Sequence, residues 1–447
     1  MIVRYYEGVK NDNDSITPFA ITDFRNVERC FGIKDKDRAG HMYILGKTGT
    51  GKSTLIQNMA VSDIRRGHGM ALIDPHGDLT EAILNLIPKR RVKDVIYFNP
   101  TDLDYPIAFN PLEKVEPDKS HLITSSLITV FKKVSGDFWG PRMEHILRNS
   151  ILALLEQPQS TLLDIPLLLT DKYFRGNIIG KITNPIVQNF WLLEFEKYSP
   201  WLRSDATAPI LNRIGQFLSS PLIRNIVCQP KSAFNLRQIM DEGKILIVDL
   251  SKGKIGDDNC SLLGSLLVTK LQLAAVSRAD MPEEKRRPFH LFIDEIHSFL
   301  TLSFTDILSE ARKYKLYLVM SHQYIEQLDE RVRAAIIGNV GTIISFRVGA
   351  EDAKFLAKEF YPTFSETDLV NIPNHHIYLK MMIDGHTSRA FSAVTLPPRK
   401  SAFSYRKMII ASSREKYGTR RDEVEKHTRQ HDMETIADSI NKQRTLF

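Results

Sequence analysis

Cysteine is scarce in this sequence. The 447 residues include three cysteines, Cys30, Cys228 and Cys260, which lie far apart and form no Cys-x-x-Cys pair. This spacing argues against a disulfide framework and is typical of reduced thiols in a cytosolic protein. Long apolar runs are also missing, and residues 1–7 lack the apolar core of a signal peptide. We therefore expect no transmembrane helix and a cytoplasmic location, or a peripheral one at the inner face of the cell membrane.

The sequence does contain a glycine-rich loop, Gly46-x-x-x-x-Gly51-Lys52-Ser53, between two structured segments. Residues 42–45 are apolar and predict a short buried strand, and residues 55–64 predict a helix. A strand, a glycine-rich loop and a helix in this order are typical of a phosphate-binding P-loop. The alternative is a glycine-rich turn that merely precedes a helix.

This loop predicts a site for ATP and Mg²⁺. Glycines let backbone amides point at phosphate oxygens, and the helix that follows adds its positive N-terminal end. We expect the Lys52 ammonium to reach the β- and γ-phosphates and the Ser53 hydroxyl to bind Mg²⁺. The residues predicted to bind the nucleotide here are Gly46, Lys47, Thr48, Gly49, Thr50, Gly51, Lys52, Ser53 and Thr54.

A second apolar segment, residues 70–73, is followed by Asp74-Pro-His-Gly-Asp78. Ligands of open α/β sheets bind at the carboxyl ends of the strands. Asp74 and His76 are therefore predicted to line the nucleotide pocket. A proline-containing turn capped by Asp78 is the alternative.

Hydrolysis needs more than a phosphate loop, and residues 290–293 predict a strand that ends at two acidic residues, Asp294 and Glu295. We expect Asp294 to hold Mg²⁺, directly or through water, and Glu295 to polarise the attacking water as general base. The alternative is a buried strand that ends in acidic residues by chance.

Buried strands alternate with helices in two parts of the chain, 41–110 and 241–398, which predicts an α/β protein with a parallel sheet. Helical periodicity dominates residues 111–240, which we interpret as a mostly helical inserted domain. Residues 1–40 are predicted to be lead-in strands. Residues 399–447 are predicted to form a basic tail that is helical or flexible.

The net charge is +7, and the last 49 residues carry twelve Lys and Arg against seven Asp and Glu. A basic tail suits nucleic acid, but interleaved acidic residues also fit a solvated charged helix. All three tryptophans, Trp139, Trp191 and Trp201, lie in the predicted helical domain. We interpret them as packing residues rather than as a platform on which bases stack.

Taken together, these segments resemble the HerA/FtsK superfamily of hexameric DNA-pumping ATPases, and most of all its type IV secretion coupling proteins of conjugative DNA transfer. The resemblance spans roughly residues 36–396. Besides the P-loop and the acidic pair, it rests on Asp74-Pro-His-Gly-Asp-Leu79, Trp139-Gly-Pro-Arg142, Ala311-Arg-Lys-Tyr314, Ser321-His-Gln323 and Gly338-Asn-Val-Gly341. It implies a RecA-like, additional-strand P-loop NTPase core, a hexameric ring and DNA as partner.

The resemblance also implies further catalytic residues. In additional-strand NTPases a polar residue one strand beyond the acidic pair senses the γ-phosphate; Gln323 is our choice, His322 the second candidate, and a helix cap at Ser321 the alternative. In ring ATPases an arginine can reach the neighbouring subunit's γ-phosphate. Arg312 and Arg347 are the two candidates, and local ion pairing or capping is the alternative for each.

Two functional hypotheses follow. The first is an ATP-hydrolysing ring motor that binds DNA through its phosphates and translocates it. The second is an ATP-dependent assembly switch that organises a partner nuclease or secretion component without pumping DNA. Coupling proteins usually begin with transmembrane helices and HerA proteins with a small β-barrel. This sequence predicts neither, so a separate membrane or nuclease partner is part of both hypotheses.

Overall fold

The computed structural model describes residues 16–23, 28–114, 116–301 and 304–430. The predictions for residues 1–15 and 431–447 lie outside the described residues. The chain divides into two compact units. We call them the sheet unit, which comprises Met1–Phe98, Leu236–Ser251 and Leu271–Ser413, and the helical unit, which comprises Asn99–Asn235, Lys252–Lys270 and Arg414–Phe447.

All described strands belong to the sheet unit. They are β1 (Ile16–Thr22), β2 (Cys30–Lys34), β3 (Met42–Leu45), β4 (Gly69–Asp74), β5 (Val95–Phe98), β6 (Ile245–Asp249), β7 (Phe289–Ile293), β8 (Leu316–His322), β9 (Thr342–Ser345), β10 (His376–Lys380), β11 (Met382–Ile383), β12 (His386–Thr387) and β13 (Phe391–Thr395). Eleven of them form one sheet in the order β2-β1-β13-β10-β9-β3-β8-β7-β4-β6-β5, and β11 pairs with β12 alone.

The sheet is parallel from β9 to β5 and antiparallel at its other end, where β10, β13, β1 and β2 pair. Every residue of β3, β4 and β5 is buried. Unbroken apolar runs of this kind form strands that are covered on both faces. The predicted α/β class, with a parallel P-loop NTPase sheet, is confirmed.

The α-helices are α1 (Asp35–Arg38), α2 (Lys52–Arg66), α3 (Asp78–Leu84), α4 (Pro117–Ser135), α5 (Pro141–Leu155), α6 (Asp164–Thr170), α7 (Lys172–Ile179), α8 (Pro185–Asn189), α9 (Pro200–Leu218), α10 (Pro221–Val227), α11 (Leu236–Glu242), α12 (Lys252–Ile255), α13 (Asp257–Val276), α14 (Phe304–Glu310), α15 (Glu330–Asn339), α16 (Ala350–Phe360), α17 (Glu366–Val370) and α18 (Arg406–Tyr417). Helices α4 to α10 belong to the helical unit. Five of these seven begin with proline, whose fixed φ suits the first helical position.

The tail predicted to be basic contains α18 and a second helical segment over residues 421–430, with a break at residues 418–420. Within the helical unit, Arg414 pairs with Asp102 at 2.7 Å, and Arg421 pairs with Glu425 at 2.6 Å. The backbone of Gly418 forms a bridge with Ile107. Several cations of the tail are therefore already paired with carboxylates, as expected for a charged helix of the protein surface.

One helix among the described residues passes the length and composition test for a membrane span. It is the segment Asp257–Asp280, which includes α13. Of its most apolar window, 61% is buried inside the structure. A core helix passes the same test, so this single segment is weak evidence for a span.

A buried ion-pair network joins α1 to α2 within the sheet unit. The Arg38 guanidinium donates two hydrogen bonds to Asp63, at 2.5 and 2.8 Å, and Arg66 donates a third at 3.1 Å. Burial alone would raise the pKa of Asp63, but the charge of the Arg38 guanidinium holds it well below its usual range. His68 and His290 bring ligand atoms within 4.8 Å of this carboxylate. Because two arginines already neutralise it, we interpret the cluster as an ion-pair network rather than as a metal site.

Candidate nucleotide-binding site

The glycine-rich loop lies at the carboxyl end of β3, and α2 begins at its last turn. The loop is anchored on both sides, because Gly46 N–H donates to the His322 carbonyl at 3.2 Å and Lys47 N–H to the Arg347 carbonyl at 2.9 Å. Gly51 has φ of 121°, which a residue with a side chain rarely adopts. A Cβ atom on Gly46 would lie 2.5 Å from the Cβ of Phe346. These glycines are therefore needed for the loop to curl against the sheet.

The Lys52 side chain folds back over this loop. Its Nζ donates to the carbonyls of Gly46 at 2.6 Å and Lys47 at 3.3 Å. Burial lowers the pKa of Lys52, while the nearby carboxylates of Glu295 and Asp294 act in the opposite direction. The ammonium can exchange its carbonyl partners for phosphate oxygens, as the P-loop prediction requires.

The acidic pair follows β7 at the same edge of the sheet. Asp294 accepts a short hydrogen bond from the Ser321 hydroxyl, and Asp294 and Glu295 are only 4% and 5% exposed. Glu295 has φ of 46° and ψ of 58°, a left-handed conformation that costs a non-glycine residue about 1–3 kcal/mol. Backbone strain of this kind is concentrated at functional sites, because the surrounding structure must hold it in place.

Burial raises the pKa of the Glu295 carboxyl, and a hydrogen bond from Gln323 opposes that rise. Gln323 Nε2 donates to Glu295 Oε1 at 2.6 Å, and the Thr48 hydroxyl donates to Gln323 Oε1 at 3.0 Å. A continuous chain of hydrogen bonds thus joins the P-loop to the predicted base. Glu295 Oε2 accepts no hydrogen bond from the described residues, although His297 Nδ1 lies 3.6 Å away.

The second sensor candidate, His322, lies outside this chain. Its ring is buried, with Nδ1 3.3 Å from the Tyr43 hydroxyl and Nε2 3.0 Å from Gln327 Oε1. Side chains of successive strand residues point to opposite faces, so His322 and Gln323 cannot both face the pocket. The structure places Gln323, and not His322, against the nucleotide site.

A cavity of about 530 Å³ unites the predicted residues within the sheet unit. Its predicted lining residues are Thr48, Gly49, Gly51, Lys52, Ser53, Thr54, Asp74, His76, Asp294, Glu295 and Gln323. Gly46, Lys47 and Thr50 belong to the loop but do not line the cavity. The Ser53 hydroxyl and the Asp294 carboxylate supply the oxygen ligands that Mg²⁺ prefers, and Lys52 supplies the charge for phosphates. The residues therefore fit ATP and Mg²⁺.

Asp74 also shapes the turn that follows β4. Its carboxylate accepts hydrogen bonds from the backbone amides of His76 at 2.9 Å and Thr80 at 2.8 Å. Burial raises the pKa of Asp74, and these amide hydrogen bonds oppose the rise. Asp74 therefore stabilises the turn and also lines the pocket, as the two interpretations made from the sequence proposed separately. The capping carboxylate is that of Asp74 rather than Asp78.

Three residues that were not predicted to line the pocket also line this cavity: Asp78, Leu79 and His375. His375 has φ of 68°, and its N–H donates to the Thr50 carbonyl at 3.0 Å. Its ring would lie 3.2 Å from a Cβ atom on Gly51. His375 precedes β10, more than 300 residues after the loop, and nothing in its local sequence marks this contact.

The two candidate arginines lie at opposite ends of the parallel strands, Arg347 at the carboxyl end and Arg312 at the amino end. Arg347 follows β9 at the P-loop edge, and its Nη2 donates to Asn374 Oδ1 at 2.8 Å. Arg312 lies in the turn Ala311–Tyr314, before the start of β8. Since β8 has seven residues, about 20 Å of strand separates that edge from the nucleotide site. The Arg312 side chain is exposed and makes no hydrogen bond or ion pair within the part of the chain that the structure describes, and its carbonyl accepts a hydrogen bond from Lys315 N–H at 3.0 Å.

Two family models match the sequence. Residues 31–184 match the type IV secretion-system coupling protein DNA-binding domain, and residues 288–360 match the TraM recognition site of TraD and TraG. No curated protein sequence matches the chain.

Solved structures share the fold over most of their length. The bacterial conjugative coupling protein TrwBΔN70, in its unbound monoclinic form, is 17% identical with a TM-score of 0.62, over 90% of this chain and 93% of that one. The plasmid coupling protein TrwB in complex with ADP and Mg²⁺ is 18% identical with a TM-score of 0.61, over 90% and 93%. VirB4 of Thermoanaerobacter pseudethanolicus is 14% identical with a TM-score of 0.53, over 89% and 99%.

The fold and the site define a P-loop NTPase whose cavity residues fit ATP and Mg²⁺. The two family models add a similarity to conjugative coupling proteins over residues 31–184 and 288–360. The resemblance stated from the sequence is confirmed.

Proposed function

We propose that this protein is a ring-forming motor that hydrolyses ATP to bind and translocate DNA. The observation that carries the proposal is the hydrogen-bond chain from Thr48 through Gln323 to Glu295. This chain links the residue that would contact phosphate to the residue that would activate water. Such a link couples phosphate binding to the activation of water, which an ATP-driven motor requires and a simple phosphate-binding loop does not.

The proposed mechanism assigns one task to each residue. Lys52 and the loop amides hold the β- and γ-phosphates, and Ser53 and Asp294 hold Mg²⁺, which neutralises charge on the phosphates. Glu295 accepts the proton of the attacking water, and Gln323 orients that water and the base. The low exposure of Glu295 keeps bulk water away from this reaction.

DNA and a protein partner are proposed on the strength of the family models. The matched domain at residues 31–184 is described as DNA-binding in coupling proteins, and the segment at 288–360 as a TraM recognition site in TraD and TraG. We propose non-specific contacts with DNA phosphates, a hexameric ring, and a separate protein partner at or near the inner face of the cell membrane.

The first test is the steady-state ATPase rate with and without single- and double-stranded DNA. We expect DNA to stimulate the wild type, and Lys52→Ala to abolish both basal and stimulated rates, because the ammonium that holds the phosphates is gone. Lys358→Ala removes an exposed lysine on α16 and should change neither rate.

DNA binding should weaken steeply between about 50 and 200 mM salt, because each phosphate contact releases a counterion. A Lys52-dependent rate that ignores DNA, with no salt-sensitive DNA binding, would favour the second hypothesis. In that case the protein is an ATP-dependent switch that assembles a partner nuclease or secretion component.

Rings assembled from two different variants should distinguish the role of Arg312 from that of Arg347. We propose that Arg312, remote from its own site and exposed, acts on the neighbouring subunit, and that Arg347 acts within its own subunit. Arg312→Ala and Arg347→Ala should each lower turnover, by about 10³-fold or more for an arginine that contacts the γ-phosphate. Mixing Arg312→Ala with Glu295→Gln subunits restores a complete site wherever a subunit with an intact Glu295 meets a neighbour with an intact Arg312.

In an equal random mixture about a quarter of the interfaces are complete, so we expect about a quarter of the wild-type rate. The same mixture made with Arg347→Ala should stay inactive, because no interface then combines Arg347 and Glu295 in one subunit. Rescue of Arg347→Ala, or failure to rescue Arg312→Ala, would reverse the assignment.

A further inference from the structure

The helical unit carries exposed aromatic side chains close to one of its own cavities. Phe138 and Trp201 are 87% and 75% exposed, whereas Trp191 is fully buried. The interpretation of all three tryptophans as packing residues therefore holds for Trp191 and is wrong for Trp201. Large exposed aromatic side chains in a folded domain commonly mark a surface that binds a partner.

The two exposed rings lie on neighbouring parts of the surface. Phe138 ends the short turn Gly136–Phe138 before α5, and Trp201 is in the first turn of α9. Arg142, in the first turn of α5, lies 3.8 Å from Asp205 of α9. Asp205 is four residues after Trp201, so the two side chains share one face of that helix. The contact between Arg142 and Asp205 thus brings the start of α5, next to Phe138, close to the face of α9 that carries Trp201.

A cavity of about 570 Å³ opens beside Phe138. It is lined by Lys132, Trp139, Pro141, Glu144, His145 and Arg148, together with Gly136. The Trp139 indole is fixed by a hydrogen bond from Nε1 to Glu144 Oε2 at 2.9 Å. One wall of the cavity is therefore an aromatic ring held in a single orientation.

The charges around this cavity favour an anion. Its one carboxylate, Glu144, accepts hydrogen bonds from Trp139 and from Arg148 at 3.0 Å, and these partners lower its pKa. The charge of Lys132 also lowers the pKa of Glu144, but among the described residues Lys132 forms no ion pair within 4 Å. Arg142 is 55% exposed and holds Asp205 only at 3.8 Å, so its guanidinium can turn to another anion at little cost.

Aromatic rings and exposed cations on one surface match the chemistry of unpaired nucleotides. Each base can stack on an aromatic side chain whatever its sequence, while the phosphates contact lysine and arginine. We propose that Phe138, Trp139 and Trp201, with Lys132, Arg142 and Arg148, form a binding site for single-stranded DNA on the helical unit. Base pairs hide their faces inside the duplex, so the site selects unpaired DNA. The inference rests on the proposed function in taking DNA as the partner, and it adds the strandedness and the place of binding.

The test is the affinity of the full-length protein for a labelled oligo-dT by fluorescence anisotropy, for wild type and for the double variant Phe138→Ala/Trp201→Ala. Loss of two stacking contacts should weaken binding by about 10- to 100-fold. The matched control is Tyr361→Ala/Phe403→Ala, which removes two exposed aromatic residues, 82% and 73% exposed, from the sheet unit. It should bind as the wild type does. Oligo-dT should also quench tryptophan fluorescence in the wild type, and less so in Trp201→Phe.

Three further binding measurements distinguish the stacking of bases from contacts with phosphates. Binding of duplex DNA, and of an abasic strand of the same length, should be unchanged in the double variant, and Arg148→Ala should instead reduce the salt slope by about one. Equal losses for oligo-dT and the abasic strand would overturn the stacking site. A change of molecular mass in the double variant by light scattering, without loss of oligo-dT binding, would assign the surface to contacts between copies and overturn it too.

The binding and ATPase measurements can reject the single-stranded DNA site and the motor independently of each other. Aromatic-dependent binding of oligo-dT with an ATPase that ignores DNA would support the site and reject the motor. DNA-stimulated ATPase with full binding by the double variant would support the motor and reject the site.

Discussion

Replacing Glu295 with glutamine should abolish turnover while ATP binding is retained. The variant keeps the shape of the side chain but cannot accept a proton from water, and general-base catalysis of this kind is worth about 100- to 10,000-fold. Because glutamine can still pair with Gln323 and lacks the charge that burial disfavours, the site should stay assembled. Rates of phosphate release and the affinity for a fluorescent ATP analogue measure the two effects separately.

The controls distinguish the base from the metal ligand. Asp294→Asn should weaken Mg²⁺-dependent nucleotide binding as well as turnover, since this carboxylate is predicted to hold the ion. Glu326→Gln alters an exposed carboxylate that does not line the cavity and should leave both quantities at wild-type values. Normal turnover in Glu295→Gln would remove this residue from the mechanism and leave the strained backbone at position 295 without a catalytic explanation.

The sequence was sufficient to predict the central strands and the site that they position. Runs such as residues 42–45 and 70–73 are apolar throughout, and only strands covered on both faces require that pattern. The carboxyl ends of parallel strands meet at one edge, so the P-loop, Asp74 and the acidic pair had to converge there. These inferences depend on local sequence and on a general rule of topology, and both are available without coordinates.

Other features depend on contacts between distant residues, and the sequence carried no signal for them. His375 lies against the P-loop because β10, which follows it, pairs in the sheet with β9 and β13, strands from other parts of the sequence. The choice between His322 and Gln323 depended on which face each side chain takes. Every residue of β8 is buried, so its sequence shows no alternation from which that face could be read.

The exposure of Trp201 could not be predicted from the sequence for a different reason. Tryptophan is usually buried, so its position in a helical domain favoured packing, and only the structure separates Trp201 from the buried Trp191. The buried Arg38–Asp63 pair shows the converse, because charged residues in short helices are usually solvated. In both cases the average behaviour of a residue type was the only guide, and the individual residue departs from it.

Acidification from pH 7 to pH 5 should lower the free energy of unfolding of the sheet unit by about 5 kcal/mol. Three of its histidines, His41, His290 and His322, are at most 1% exposed. Burial lowers the pKa of His41 to about 4 and that of His322 to about 3, and it lowers the pKa of His290 well below its usual range, helped by the charge of Arg38. All three stay neutral in the folded protein across this range.

The unfolded chain behaves differently, because its histidines bind protons near pH 6.5. Stability is therefore fully present above about pH 6.5 and falls as the pH drops further, by up to about 1.4 kcal/mol per pH unit for each histidine. The raised pKa values of Asp74, Glu295 and Asp352 act in the opposite direction, since the folded protein takes up those protons first. They offset only part of the loss, because carboxyl groups titrate mainly toward the acid end of this range.

Urea unfolding at pH 7, 6 and 5, followed by circular dichroism, measures the effect. Tryptophan fluorescence provides an internal comparison, because Trp139, Trp191 and Trp201 all belong to the helical unit and report its transition alone. His322→Gln, which can keep a hydrogen bond to Gln327, should remove about a third of the pH-dependent loss, whereas His386→Gln, at an exposed position, should remove none. A sheet-unit transition that does not move between pH 7 and pH 5 would show that these histidines are protonated in the folded state. His290 lies near the cations Arg38 and Arg66 and also 3.3 Å from the Asp63 carboxylate, which acts to raise its pKa, so the expected pH dependence requires burial and the two arginines to outweigh that carboxylate.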